Sequence, residues 1–149
     1  MSIRGIFFDY QSVSAADHAL LFAQAMPDGV INGAEITFDY ATVYFNAGII
    51  VMAGRIWEIQ GSEAVSINNA GGYAYARIKA QIDLNQASTG ADNFQQVNFI
   101  VEYASDLEEF PDLITNAINT GTGTIYEKEA AVVSIDTESG ITAIVRQWA

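Results

Sequence analysis

A chain of 149 residues, half of them hydrophobic, has the usual size of one domain and can bury a core without metal ions or disulfide bonds. It contains no cysteine, which excludes disulfide bonds, thiolate metal sites and thiol chemistry. Its formal net charge of −12 repels phosphate groups and anionic lipid surfaces, and no apolar run reaches the roughly 18 residues that cross a bilayer, so we expect neither a nucleic-acid partner nor membrane insertion.

The first segment of the chain is too apolar for a free tail. Its large side chains are Ile3, Ile6, Phe7, Phe8 and Tyr10. Two interpretations stand equally: the segment packs on a neighbouring chain, or it forms the first edge strand of its own sheet. The start also lacks the basic and apolar regions of a secretory signal.

The first predicted element is an amphipathic helix from Ala15 to about Met26. Ser14 stands at the expected N-cap and Asp17 follows three residues later, so each side chain can accept a hydrogen bond from a free backbone N–H. Pro27 ends the helix. The apolar stripe at helical spacing consists of Leu20, Leu21, Ala23 and Met26. The residues expected nearer solvent are Asp17, His18 and Gln24.

After the helix the sequence is typical of strands for a long distance. Ile36–Phe38 and Val43–Phe45 are short candidates. Ile49–Ile59 is apolar almost throughout and is interrupted by Gly54-Arg55. It is therefore either one strand buried on both faces or a hairpin bent at Met52 to Gly54.

The clearest strand signal lies in the middle of the chain. Over Ala76–Leu84, apolar and polar residues alternate strictly, which predicts a strand exposed on one face. Val97–Tyr103 alternates in the same way, and the polar stretch Asn85–Asn93 between them predicts a loop. We expect the two strands to form an antiparallel pair.

The last third predicts a short helix and a hairpin. Apolar residues recur at helical spacing over Leu113–Ile118, after Pro111. Ile125–Ile135 and Ile141–Trp148 predict two strands joined by a turn at Asp136–Gly140. The predicted fold is mainly β with one or two short helices (α+β), an antiparallel β-sandwich or barrel-like domain with an N-terminal helix. We expect residues 1–149 to form one domain, with the N-terminal segment and helix over about 1–28 and the β-rich body over about 30–149.

Catalytic and metal-binding chemistry find little support. His18 follows Asp17, but neighbours on a helix point about 100° apart, and neither a cysteine nor a Gly-x-Ser-x-Gly motif supplies a nucleophile. The acidic run lacks the spacing of a calcium loop and suits the start of a helix. Its members are Asp106, Glu108, Glu109 and Asp112. We therefore predict no enzyme activity, no cofactor and no metal.

An aromatic surface gives one alternative function. Gly71-Gly72 lacks the lysine and hydroxyl residue of a phosphate-binding loop. Tyr73 and Tyr75 would share one strand face, and together with Trp57 they could stack on sugar rings. Such residues are enriched in strands in any case, so carbohydrate binding, for instance to a host cell-wall glycan, is the second hypothesis.

The order of the motifs along the chain carries a resemblance. The pieces are Ser14 to Phe22, Asp28-Gly29-Val30, Ala47-Gly48 to Gly54-Arg55, Arg77 to Asp83, Tyr126-Glu127 with Ala130 to Ser134, and Ile141 to Arg146. Their succession resembles the N-terminal structural modules of tail, baseplate and receptor-binding proteins of tailed bacteriophages that infect Gram-positive bacteria.

The resemblance implies a non-catalytic virion protein of the tail tip or baseplate, made in the host cytoplasm without a signal peptide. It implies a homo-oligomer, with a trimer favoured, that binds other phage tail proteins and connects the tail to adhesin components. The predicted attachment contacts are the apolar residues of the first segment together with Leu20 and Leu21.

Overall fold

The structure is a computed structural model that describes residues 14–69, 71–88 and 94–149. Its one described α-helix is α1 (Ala15–Ala25), and a short 3-10 helix spans Leu107–Glu109. The described strands are β1 (Gly29–Gly33), β2 (Ile36–Phe38), β3 (Thr42–Met52), β4 (Arg55–Ser66), β5 (Tyr75–Asp83), β6 (Val97–Ala104), β7 (Ile125–Asp136) and β8 (Gly140–Gln147).

The predicted start of α1 is confirmed. The Ser14 hydroxyl accepts a hydrogen bond from the Asp17 amide at 3.1 Å, and the Asp17 carboxylate accepts one from the Ser14 amide at 3.4 Å. This capping role buries Asp17 to 6% exposure, so its predicted position near solvent is wrong, whereas His18 is exposed as expected.

The predicted apolar stripe of α1 is also wrong. The helix buries Ala19, at 2% exposure, while Leu21 and Ala23 are exposed and Leu20 is half-buried. The reason is the close approach of the α1 backbone to the turn that precedes β4, where only a small side chain fits.

The apolar stretch after β2 forms a hairpin and not one long strand. β3 and β4 pair antiparallel, from Met52 opposite Arg55 to Thr42 opposite Ser66, and turn at Ala53-Gly54. The predicted strand Val43–Phe45 is the first part of β3, because the ladder continues past an irregularity between Asn46 and Gly48. β1 and β2 lie one after the other along the remaining edge of β3.

The second sheet has the order β6-β5-β7-β8, with every neighbouring pair antiparallel. The predicted β5–β6 pair and the β7–β8 hairpin are therefore confirmed. The predicted helix over Leu113–Ile118 is wrong. Ile114 and Glu127 exchange backbone and side-chain hydrogen bonds, and Thr115 bridges Tyr126, so this segment runs extended beside the first half of β7.

The two sheets pack face to face around one apolar core, which confirms the predicted mainly β, antiparallel sandwich. The largest fully buried side chains are Phe45, Ile50, Met52, Ile78, Val43, Val132 and Val133. All of these except Val132 line the core between the sheets; Val132 precedes Val133 and lies on the outer face of β7, where it packs with Ala104 and Phe110.

The sandwich has a closed side and an open side. On the closed side the Val30 amide donates to the Ala149 carbonyl, and the Ile141 amide donates to the Tyr40 carbonyl, both at 2.9 Å. These bonds join the edge of the first sheet to the end of the second. On the open side, β4 and β6 each have a free edge that no described strand pairs with.

The outer face of β5 is covered, although its alternation predicts exposure. Arg77 and Lys79 are 5% and 9% exposed. Arg77 contacts Glu102 at 2.8 Å and donates to the Pro111 carbonyl, while Lys79 contacts Glu127 at 2.8 Å. We call Arg77, Lys79, Glu102 and Glu127 the ionic cluster. The residues after β6 lie over it, and their backbone supplies some of its hydrogen bonds.

Glu127 is the most buried carboxylate of the ionic cluster, at 2% exposure. Burial alone would raise its pKa, but hydrogen bonds from Lys79, the Ile114 amide and Gln81 outweigh burial and hold the pKa of Glu127 below its ordinary value. The charged form is therefore the form that the fold stabilises.

Candidate functional site

The turn between β3 and β4 positions the helix. Gly54 has a φ of +73°, and a Cβ atom there would lie 1.9 Å from the Ala19 carbonyl oxygen of α1. Only glycine combines this backbone conformation with so close an approach. The helix therefore rests directly on the hairpin turn.

Two side chains from distant parts of the chain hold the same turn. Ala53 has a φ of 51°; its amide donates to Asp28 at 2.8 Å, and its carbonyl accepts from Asn119 at 2.7 Å. Asn119 also accepts from the Arg55 guanidinium at 3.2 Å. Both backbone groups of the turn residue are thereby satisfied, which fixes the turn in one conformation.

Tyr126 completes this arrangement by donating a hydrogen bond to Asp28. Burial, followed by this bond to a carboxylate, raises the pKa of Tyr126 to about 12. The hydroxyl therefore stays protonated over the ordinary pH range and remains a donor.

A cleft of about 380 Å³ opens between α1, the start of β4, and the adjoining ends of β5 and β6. We call it the helix cleft. Three of its lining residues are large, apolar and accessible: Phe22 is 40% exposed, Ile56 50% and Phe94 48%. Leu21, at 51%, is the neighbour of Phe22 on α1. An exposed group of this kind on a small protein is a candidate interaction surface.

Four aromatic rings lie behind the cleft, between the sheets. Phe45 stacks on Phe99 with ring centroids 4.5 Å apart. Trp57 meets Phe99 edge to face at 6.1 Å, and Trp148 contacts all three other rings. These contacts make Trp57 part of a rigid wall of the cleft.

A second and longer depression, of about 990 Å³, follows the open side between β4 and β6. We call it the edge groove. It shares Trp57, Phe94 and Val97 with the helix cleft, so the two are continuous. Its only charged lining residues within the described part of the chain are Glu58 and Glu63.

The structure separates the three aromatic residues of the glycan hypothesis. Trp57 lies between the sheets, whereas Tyr75 lies on the outer face of the second sheet, near Phe110 and Val132. Tyr73 stacks on Tyr103 at 5.9 Å. Tyr103 lies four residues along β6 from Phe99, which corresponds to about 13 Å. The three side chains therefore do not form one surface.

The predicted attachment contacts are only partly described. Leu20 and Leu21 lie on α1 beside the helix cleft, and Leu21 is the more exposed. The remaining predicted contacts lie outside the described residues, namely Ile3, Ile6, Phe7, Phe8 and Tyr10.

Sequence reasoning missed Phe22, Ile56 and Phe94. Ile56 alternates with the inward-facing Trp57 and Ile59 along β4, a signal that could have placed it on the outer face. Phe22 follows Leu21 directly, but the sequence does not show that α1 buries a small face. Phe94 stands in a polar stretch that carries no periodic signal.

The described residues hold no group of three or more histidines, aspartates or glutamates placed to bind a metal ion. Within the same part of the chain, the helix is neither long nor apolar enough to cross a membrane. No protein-family model matches the chain, and no curated protein matches it significantly.

Proposed function

We propose that this chain is a non-catalytic structural protein of a bacteriophage tail tip or baseplate, which self-associates and connects the tail to adhesin components. The observation that carries self-association is the group of exposed apolar side chains around the helix cleft. Phe22 lies on α1, Ile56 on β4 and Phe94 in the stretch before β6, and all three line the cleft. The phage role itself rests on the order of sequence motifs.

Self-association would bury these side chains against a second copy. Association at this surface has to overcome repulsion between chains of net charge −12, which salt screens. We therefore expect the oligomer, a trimer in the favoured form, to become more stable as the salt concentration rises. An interface held by ion pairs would respond in the opposite direction.

The test compares two matched substitutions by size-exclusion chromatography with light scattering. Phe22→Ser removes an apolar side chain from the helix cleft, and Phe38→Ser removes one of nearly equal exposure, 39% against 40%, from β2. We expect Phe22→Ser to shift the oligomer towards monomer at micromolar concentration and Phe38→Ser to leave it unchanged. A wild-type chain that is monomeric at high salt, and is absent from purified virions by mass spectrometry, contradicts the proposal.

Carbohydrate binding remains the alternative, and it has less support because its three aromatic residues lie apart. Tyr73, at 42% exposure and backed by Tyr103, offers one ring for stacking. Titration with cell-wall polysaccharide tests it, using Tyr73→Ala as the variant. A saturable change in protein fluorescence that the variant abolishes would favour this alternative.

A further inference from the structure

On the open side, the long strand β4 has one edge without a partner among the described strands. β4 has 12 residues and spans about 40 Å. β3 occupies one edge along the whole strand, and no described strand pairs with the other. Free edges of soluble proteins are usually short or protected by lysine, proline or bulges. From Ile56 to Ser66, β4 contains neither lysine nor proline, and its one break in register with β3 lies between Ile59 and Ser62.

The edge groove beside β4 has room for an added chain. A Cβ atom built on Gly61 meets no atom of the described residues within 4 Å. The floor is apolar and rigid, because Trp57 and Phe99 pack edge to face there. The indole N–H of Trp57 is buried in this floor and has no hydrogen-bond partner among the described residues.

One carboxylate stands on the groove side of this edge. Glu63 lies opposite Phe45 in the β3–β4 ladder, so both side chains share the inner face of the sheet. Among the described residues, the side-chain carboxylate of Glu63 has neither a hydrogen-bond partner nor an ion pair. Glu58 differs, because alternation places it on the outer face, where it accepts a hydrogen bond from Gln60 at 3.2 Å. Glu63 is therefore the residue that gives the groove its charge preference.

The charge preference selects the kind of occupant. A second copy pairing edge to edge through β4 would bring further carboxylates to Glu63. An extended segment with lysine or arginine between apolar residues would instead complement both the carboxylate and the aromatic floor.

We propose that the edge groove binds an extended segment of another protein, which adds as a strand to the free edge of β4. Backbone hydrogen bonds supply the pairing, apolar side chains cover Trp57 and Phe99, and a lysine or arginine contacts Glu63. This heterotypic contact adjoins the helix cleft, with which the groove shares Trp57 and Phe94, but it does not require self-association, whose test uses Phe22, a residue that lines the helix cleft and not the groove.

The test titrates the full chain with an acetylated and amidated decapeptide of alternating valine and lysine. Binding is followed by calorimetry and by the ¹H–¹⁵N signal of the Trp57 indole. Two control peptides are used: one has glutamate in place of lysine, and the other keeps the lysines but has proline in place of its two central valines. We expect saturable binding of the alternating lysine peptide, with a shift of the Trp57 signal, and no binding of either control.

Matched variants locate the contact. We expect Glu63→Gln to weaken binding about fivefold, the effect of one partly exposed ion pair, and Glu58→Gln to change it less than about twofold. Glu63→Lys should reverse the preference and bind the glutamate peptide. Equal binding of the lysine and proline peptides would overturn the proposal, because it would show charge attraction without strand pairing.

A full chain that binds none of the peptides would also overturn the proposal. Disulfide formation between cysteines introduced by Ile6→Cys and Ser62→Cys would then assign the groove to the first segment of this chain. A bond within one chain would indicate its own segment, and a bond between two singly substituted chains would indicate a second copy. Thr37→Cys on β2 replaces Ser62→Cys as the control. The self-association experiment is independent of these outcomes.

Discussion

Replacing Gly54 by alanine tests whether the hairpin turn sets the position of α1. The substitution lowers the unfolding free energy in two ways, through an unfavourable backbone conformation and through a steric clash. The same substitution at a second glycine measures the first effect alone. Gly72 has a φ of +71°, nearly the +73° of Gly54, but a Cβ atom on Gly72 meets nothing within 4 Å. Gly72→Ala therefore carries only the cost of a left-handed alanine, about 1 kcal/mol of unfolding free energy.

Gly54→Ala adds a steric cost. The new Cβ atom would lie 1.9 Å from the Ala19 carbonyl oxygen, where contacts need roughly 3.0 Å, so α1 must move by about 1.1 Å. Overpacking of a tight contact costs a further 1–3 kcal/mol, roughly, which gives about 2–4 kcal/mol in all.

Urea unfolding followed by tryptophan fluorescence gives the two free energies, and hydrogen exchange reports on α1 itself. We expect Gly54→Ala to lower the unfolding free energy by at least about 1 kcal/mol more than Gly72→Ala and to speed exchange of the α1 amides. Equal losses for the two variants, with unchanged exchange in α1, would refute the conclusion that the helix rests on the turn.

Two further substitutions test buried polar groups. Glu127→Gln leaves Lys79 with Glu102 alone, at 3.4 Å, and should lower the unfolding free energy by about 3 kcal/mol at pH 7. Glu129→Gln, whose partly exposed carboxylate pairs with Arg146 at 3.0 Å, should lower it by less than about 1 kcal/mol. Because the pKa of Glu127 is lowered in the fold, its contribution is present above the unfolded value of about 4.5 and is lost as pH falls through the folded pKa, so the difference from wild type should shrink in acid urea titrations. Tyr126→Phe removes the bond to Asp28 and should cost about 2 kcal/mol at neutral pH. The pKa of Tyr126 is raised from 10.0 to about 12, so the wild type alone should lose about 1–2 kcal/mol, after allowance for solvent screening, as pH rises through that window; a constant difference between pH 9 and 12 would contradict this role.

The elements that could be predicted are those whose signals are local. The Ser14–Asp17 capping box lies within four residues, and its start of α1 is confirmed. The β5–β6 pair and the β7–β8 hairpin follow from alternation and turn residues that are close in sequence. None of these signals depends on contacts with distant parts of the chain.

The predictions that are wrong depend on contacts with distant residues. The buried face of α1 depends on Gly54, more than 30 residues further on, so the stripe of large residues does not identify it. The outer face of β5 is covered by residues that follow β6, which turns the predicted exposure of Arg77 into burial. Helical spacing over Leu113–Ile118 is overridden by hydrogen bonds to Glu127 in β7.

The candidate site could be predicted least. Trp57 is conspicuous in the sequence, but its place in a cluster with Phe99 and Trp148 depends on how the two sheets stack. The same stacking leaves β4 and β6, on one side, with edges that no described strand occupies. Strand patterns predict that a strand exists and do not predict which of its edges stays unpaired.

The hydrogen bonds that Asp28 and Asn119 make to the Ala53 backbone have a consequence for the order of folding. Its partners Asp28 and Asn119 lie 25 and 66 residues away, and the Tyr126–Asp28 bond spans 98 residues. A two-residue turn is usually among the first parts of a hairpin to form, whereas closing loops of this length is slow. The tip of the β3–β4 hairpin therefore reaches its final conformation only after the second sheet has docked. Substitutions at Asp28 should accordingly speed unfolding and leave the rate of folding nearly unchanged.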